Sequence, residues 1–162
     1  SCDQLKKYWI LDSGAAEHGT FDKEHMENFE MTEGDICMAN GARLTVEGQG
    51  SVKLALEEAC GGGDLVLDCV RYIPELETNL ISVGSLEENG MTLLIKDGRA
   101  EVQDGGKVLF TALNEHNVFV VKTKGSPESK GAEDLNTEWR RFSMTDGNEQ
   151  RCKNRLTSLW KY

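Results

Sequence analysis

An apolar run, Trp9-Ile10-Leu11, leads directly into Asp12-Ser13-Gly14, and the small residues Ala15 and Ala16 follow. A short strand of this kind delivers a carboxylate to a tight turn, where the neighbouring hydroxyl can hold a hydrogen bond and the glycine lets the backbone pass close. The chemistry open to such a carboxylate is amide hydrolysis without a metal or a covalent intermediate. That reaction needs one group to take a proton from water and another to give one to the amide. Two carboxylates sharing a site do both, because like-charge repulsion keeps one of them protonated. The chain holds a single Asp-Ser-Gly and no Asp-Thr-Gly, so it supplies half of such a site. The other half must come from a second copy across a two-fold axis. A lone Asp-Ser-Gly is also an ordinary surface turn, and the surrounding segments decide between the readings.

The elements that must carry the turn are short β-type runs punctuated by Gly, Asn and Asp: Tyr8–Leu11, Asp35–Met38, Arg43–Val46, Ser51–Leu56, Leu65–Tyr72, Thr92–Ile95, Ala100–Gln103, Lys107–Thr111 and Val118–Val121. They predict a compact all-β domain with a closed or folded-over sheet. Asn40-Gly41 predicts a hairpin with a two-residue type I′ turn, which needs positive φ at both positions. Gly61-Gly62-Gly63, Asp97-Gly98 and Asp104-Gly105-Gly106 mark further turns. Ser85 to Gly90 predicts one helical turn, with Ser85 as N-cap, Glu88 as its capping-box partner and Gly90 as terminator.

Four ordered segments carry a family resemblance. Trp9-Ile10-Leu11-Asp12-Ser13-Gly14-Ala15-Ala16-Glu17-His18, Ile36-Cys37-Met38-Ala39-Asn40-Gly41, Val46-Glu47-Gly48-Gln49-Gly50-Ser51-Val52, and Tyr72-Ile73-Pro74-Glu75-Leu76 with Asn79-Leu80-Ile81-Ser82-Val83-Gly84-Ser85-Leu86 resemble, in this order, the protease domain of Ty1/copia-type retrotransposon Gag-Pol polyproteins. Ala16 and Gly19 depart from that pattern, where the family often has Ser and Met. The resemblance implies a retropepsin-like half-barrel of the acid-protease fold with one short helix. It implies that Asp12 is catalytic, that Ser13 hydrogen-bonds across the two-fold axis, and that Gly14 leaves room beneath the water. Met38, Ala39, Asn40, Gly41 and Ala42 become the tip of a substrate-binding flap. Val83-Gly84 becomes the apolar-Gly element packing beneath the catalytic loop, with Ala15 as further support.

Composition sets the frame. A chain of 162 residues with 38% hydrophobic content buries one ordinary core and makes about one domain. The expected domain runs over 1–122. The polar Gly/Ser/Pro stretch over 123–134 predicts a flexible linker, and 135–162 a tail with one or two helices that leads toward the next polyprotein region. No apolar run approaches the roughly 20 residues of a membrane helix, and no signal-peptide core is present, so a cytoplasmic protein is expected. The resemblance places it within retrotransposon virus-like particles.

The five cysteines form no Cys-x-x-Cys pair, so reduced thiols are expected, with Cys37 and Cys69 as small core side chains. The net charge of −10 is uneven: residues 1–122 carry 10 Lys+Arg against 22 Asp+Glu, the remainder 8 against 6. The acidic body predicts no direct nucleic-acid binding. His18 and His25 lie at a spacing that fits no common metal-ligand motif, Gly48-Gln49-Gly50 lacks the rest of a dinucleotide fingerprint, and no Gly-x-Ser-x-Gly is present. No metal and no cofactor are expected.

Two functions fit these features. One is a homodimeric aspartic endopeptidase that cleaves a Gag-Pol polyprotein. The other is a catalytically silent module of the same fold that dimerises or binds peptides.

Overall fold

A computed structural model describes residues 8–125. The remainder of the expected linker and the expected C-terminal tail lie outside the described residues.

Alternation of side chains builds the strands. In β4 (Arg43–Ala55), Val46, Gly48, Gly50, Val52 and Leu54 face inward while their neighbours face out, the period-two pattern of a half-buried strand. The other strands are β1 (Trp9–Asp12), β2 (Gly19–Thr20), β3 (Met26–Cys37), β5 (Asp64–Tyr72), β6 (Asn79–Ser82), β7 (Thr92–Lys96), β8 (Arg99–Asp104), β9 (Lys107–Glu115) and β10 (Val118–Val121), with helix α1 (Val83–Glu88) between β6 and β7. They form one 10-stranded sheet in the order β3-β4-β5-β2-β6-β1-β10-β9-β8-β7. The architecture is all-β with one short helix.

The sheet does not lie flat. The end of β4 and the segment after β10 are far apart in the strand order, yet they are hydrogen-bonded. Leu56 bridges Thr123, Glu57 N donates to Lys122 O at 3.0 Å, and Lys124 N donates to Ala55 O at 2.7 Å. Curling the sheet this way encloses Leu54, Leu56, Val70, Ile81, Val102, Phe110 and Val121 in one core. Each large apolar side chain so buried contributes about 1.5–3 kcal/mol. Backbone pairing thus continues through Lys124, slightly past the expected boundary at residue 122.

Two of the expected runs, Arg43–Val46 and Ser51–Leu56, are one 13-residue strand. Gly48 and Gly50 do not break it; they allow β3 to approach. A Cβ at Gly48 would collide with the Phe29 ring, and one at Gly50 would sit 2.7 Å from Glu27 O. The Phe29 ring packs edge-on to Tyr72 at 6.0 Å, and Lys23 Nζ lies 4.3 Å from its centre.

Asn40-Gly41 does not form the expected type I′ turn. Only Gly41 has positive φ (83°), and Met38 N donates to Ala42 O at 2.8 Å while Gly41 N donates to Met38 O at 2.8 Å. The loop is therefore the three residues Ala39-Asn40-Gly41, with glycine in the left-handed bulge position. Asn40 Oδ1 accepts the Ala42 N–H at 2.9 Å, which holds the asparagine in its ordinary conformation. Paired positive φ values occur instead at Asp97-Gly98, Gly105-Gly106 and His116-Asn117.

The cysteines also depart from expectation. Cys37, the last residue of the outer strand β3, is exposed and free. Cys69 is half-buried and disulfide-bonded; its φ is 56°, beside the β4–β5 register shift between Gly50 and Val52, which takes it out of the core alternation. Cys60 is the buried free thiol, and its Sγ accepts the Lys122 N–H at 3.3 Å.

Candidate functional site

β1 runs through the middle of the sheet, antiparallel to β10 on one side and parallel to β6 on the other. Its apolar residues Trp9 and Leu11 are buried, so the strand is anchored while its last residue, Asp12, emerges half-exposed into the turn. Asp12 Oδ1 accepts the Gly14 N–H at 2.7 Å. A Cβ on Gly14 would approach that same oxygen at 3.2 Å, so glycine suits a turn that folds back on its own carboxylate. Ser13 and Gly14 are exposed.

The loop behind this turn is fixed residue by residue. Ser82 Oγ donates to Ala15 O at 2.7 Å, and Ser85 Oγ donates to Ala16 O at 3.2 Å. Glu17 takes both of its carboxylate oxygens to Arg71, with Nε to Oε2 at 2.7 Å and Nη2 to Oε1 at 2.9 Å. His18 O accepts the Arg71 N–H at 2.9 Å, and His18 Nδ1 accepts the Ser82 N–H at 2.9 Å. His18 is therefore a buried support of the loop. His25 is exposed and pairs with Asp22 at 2.7 Å.

The resemblance pointed to Val83 and Gly84 as the support beneath the turn, and the structure places them in the first turn of α1. Val83 is half-buried and Gly84 exposed, and a Cβ on Gly84 would meet only Ser82 Oγ, at an ordinary 3.8 Å. The groups that grip the loop are their neighbours Ser82 and Ser85. Ser82 is also the helix N-cap, its Oγ accepting the Ser85 N–H at 3.0 Å, in place of the expected cap at Ser85. Starting the helix three residues earlier than expected lets one hydroxyl cap it and hold Ala15.

The hairpin tip places Met38 half-exposed and Ala39, Asn40, Gly41 and Ala42 exposed. Its base is anchored: Ile36 and Leu44 pack with Phe21 and Leu80 against the buried Val46, Ile73 and Leu76. Leu80 is the register partner of Ile10, so this second core ties the hairpin to the strands that carry Asp12.

The residues that sequence reasoning missed are Glu17, Gln49, Arg71, Ser82 and Ser85. Only the full burial of a would-be surface arginine, at 1% exposure, makes that cluster evident, and no local pattern signals it.

The family model described as "Pol polyprotein, beta-barrel domain" matches residues 9–91, just over half of the chain. The chain belongs to this family and is a retrotransposon Pol region. It is similar to the Retrovirus-related Pol polyprotein from transposon RE1 of Arabidopsis thaliana, 30% identical over 99 residues, which cover 59% of this chain and 6% of that relative. The chain thus corresponds to a small part of that relative's length. No solved structure matches it.

Proposed function

We propose that this β-barrel domain is an aspartic endopeptidase of retropepsin type, active as a homodimer with one Asp12 from each chain, that processes the polyprotein to which it belongs. The observation that carries the reading is the Asp12 turn. One carboxylate oxygen is held by the Gly14 N–H at 2.7 Å, and the turn stands half-exposed at the end of an anchored strand. A second copy brought against it by a two-fold axis supplies the second carboxylate. The ionised member of the pair then takes a proton from water as that water attacks the scissile carbonyl. The protonated member polarises the carbonyl oxygen and later protonates the departing amine. Ser13 braces the two turns across the axis.

The 38–42 hairpin closes over an extended peptide and adds backbone hydrogen bonds to it. The substrate is a polypeptide, and the reaction needs neither metal nor cofactor. Its setting is the cytoplasm, within virus-like particles.

Mass measurement combined with cleavage of a Gag-Pol fragment tests the reading. The parent chain should form dimers and cut, and Asp12→Asn should dimerise without cutting. A dimer that binds the fragment but leaves it intact would identify a silent peptide-binding module instead.

A further inference from the structure

A buried charge cluster holds the loop that follows the Asp12 turn, at Glu17 and His18. Arg71 on β5 is 1% exposed, and all three nitrogens of its guanidinium are used: Nε and Nη2 on the two oxygens of Glu17, Nη1 on Gln49 Oε1. Its own backbone N–H holds His18 O. One residue therefore grips both Glu17 and His18 and ties them to β4, the strand that continues into the 38–42 hairpin.

Burying an ion pair away from water is a poor source of stability, and an apolar pair of equal volume usually serves the fold as well. What the bidentate fork supplies is direction, because a planar guanidinium fixes two oxygens at once. We infer that Arg71, through Glu17 and Gln49, is a positioning residue that sets the orientation of the Asp12 carboxylate relative to the hairpin. The inference rests on the endopeptidase reading for its kinetic consequence, but its structural consequence stands apart: the hydrogen bond from Gly14 N–H to Asp12 reports the set of the turn.

The test is the apolar pair Glu17→Leu/Arg71→Met in the full chain, read in three ways: melting temperature, the Gly14 amide resonance, and kcat and KM on a peptide substrate. The double variant should melt close to the parent, with the Gly14 amide shifted and kcat reduced on the order of a hundredfold, while KM changes little. Arg71→Lys should not rescue, since an ammonium cannot hold both Glu17 oxygens and Gln49 together. Should the apolar pair fail to fold, Glu17→Gln gives the same readout, with a smaller displacement of the same resonance. A folded variant whose Gly14 amide is unmoved overturns the inference whatever its rate, and so does a parent-like kcat. If the parent itself cuts nothing while the Gly14 amide still moves in the variant, the endopeptidase reading falls and the positioning role stands.

Discussion

Asp12 and Ser82 are register partners on the parallel strands β1 and β6. Parallel strands end on the same side of a sheet, so the carboxylate-bearing turn and the start of α1 emerge side by side. Ser82, fully buried, uses that proximity twice, donating to Ala15 O at 2.7 Å and accepting from Ser85 N at 3.0 Å. Ser82→Ala removes both contacts and leaves a buried carbonyl and a helix end without their partner. The expected cost is about 1–3 kcal/mol, read as a lower denaturant midpoint. A midpoint equal to the parent's would mean that the loop is held elsewhere.

Asp12→Asn should abolish proteolysis and leave the fold intact. The amide keeps the size of the carboxyl and an oxygen for the Gly14 N–H, but it cannot take a proton from water. Cleavage assays alongside circular dichroism check this, and full activity in the variant excludes the two-carboxylate mechanism.

Activity should rise faster than linearly with protein concentration wherever the dimer is partly dissociated, because in the proposed homodimer each site takes one Asp12 from each chain. Rate measurements across a dilution series paired with sedimentation provide the check. Strict proportionality down to concentrations holding only monomer contradicts a shared site.

Gly48→Ala should destabilise the protein by about 1–3 kcal/mol, since the added methyl meets the Phe29 ring pinned between Tyr72 and Lys23. Gly34→Ala is the control. Nothing lies within 4 Å of its added carbon and its φ is not positive, so it should stay within about 0.5 kcal/mol of the parent. Equal effects at the two positions would exclude close packing as the reason for Gly48.

Stability should fall at alkaline pH. Burial pushes the Cys60 thiol above its ordinary 9.0, and the hydrogen bond to Glu115 raises Lys122 above 10.5. In both cases the folded state keeps its proton where the unfolded chain has lost it. The stabilisation is therefore complete below pH 9.0 for Cys60 and below 10.5 for Lys122, and it is lost as pH rises through the folded values. Thermal melts should hold level up to about pH 9 and decline above it, and Cys60→Ala should delay the first part of the decline. A thiol variant that follows the parent curve throughout contradicts this assignment.

Strands β5, β7, β8 and β10 were legible as short apolar runs, and the Asp12 turn because an apolar run ends on Asp-Ser-Gly. Of the 12-residue β3 only the end from Asp35 was legible, because its register shifts break the alternation before that point. β2 and β6 were not, since two residues and four are too few for periodicity; their neighbours in the sheet make them strands. The gap left between the runs Arg43–Val46 and Ser51–Leu56 is filled by strand, because a sequence does not show that the glycines at 48 and 50 make room for Phe29 and β3. The loop supports escaped for a related reason. Glu17 and Arg71 are 54 positions apart and Ser82 and Ala15 are 67 apart, so the contacts exist only once the sheet has assembled.

The two outer strands of the sheet are unequally guarded. β3 presents Glu27, Glu30, Glu33 and Asp35 to solvent, and a like-charged neighbour would be repelled along its whole length. β7 carries Leu94 and Ile95 at 47% and 58% exposure and only Lys96 as a deterrent. A chain that could add strands at both edges would polymerise without limit. Like charge thus opposes a β3-to-β3 seam, whereas β7 is the edge open to an added strand, and pairing with its own copy in a second chain makes a seam that closes at two.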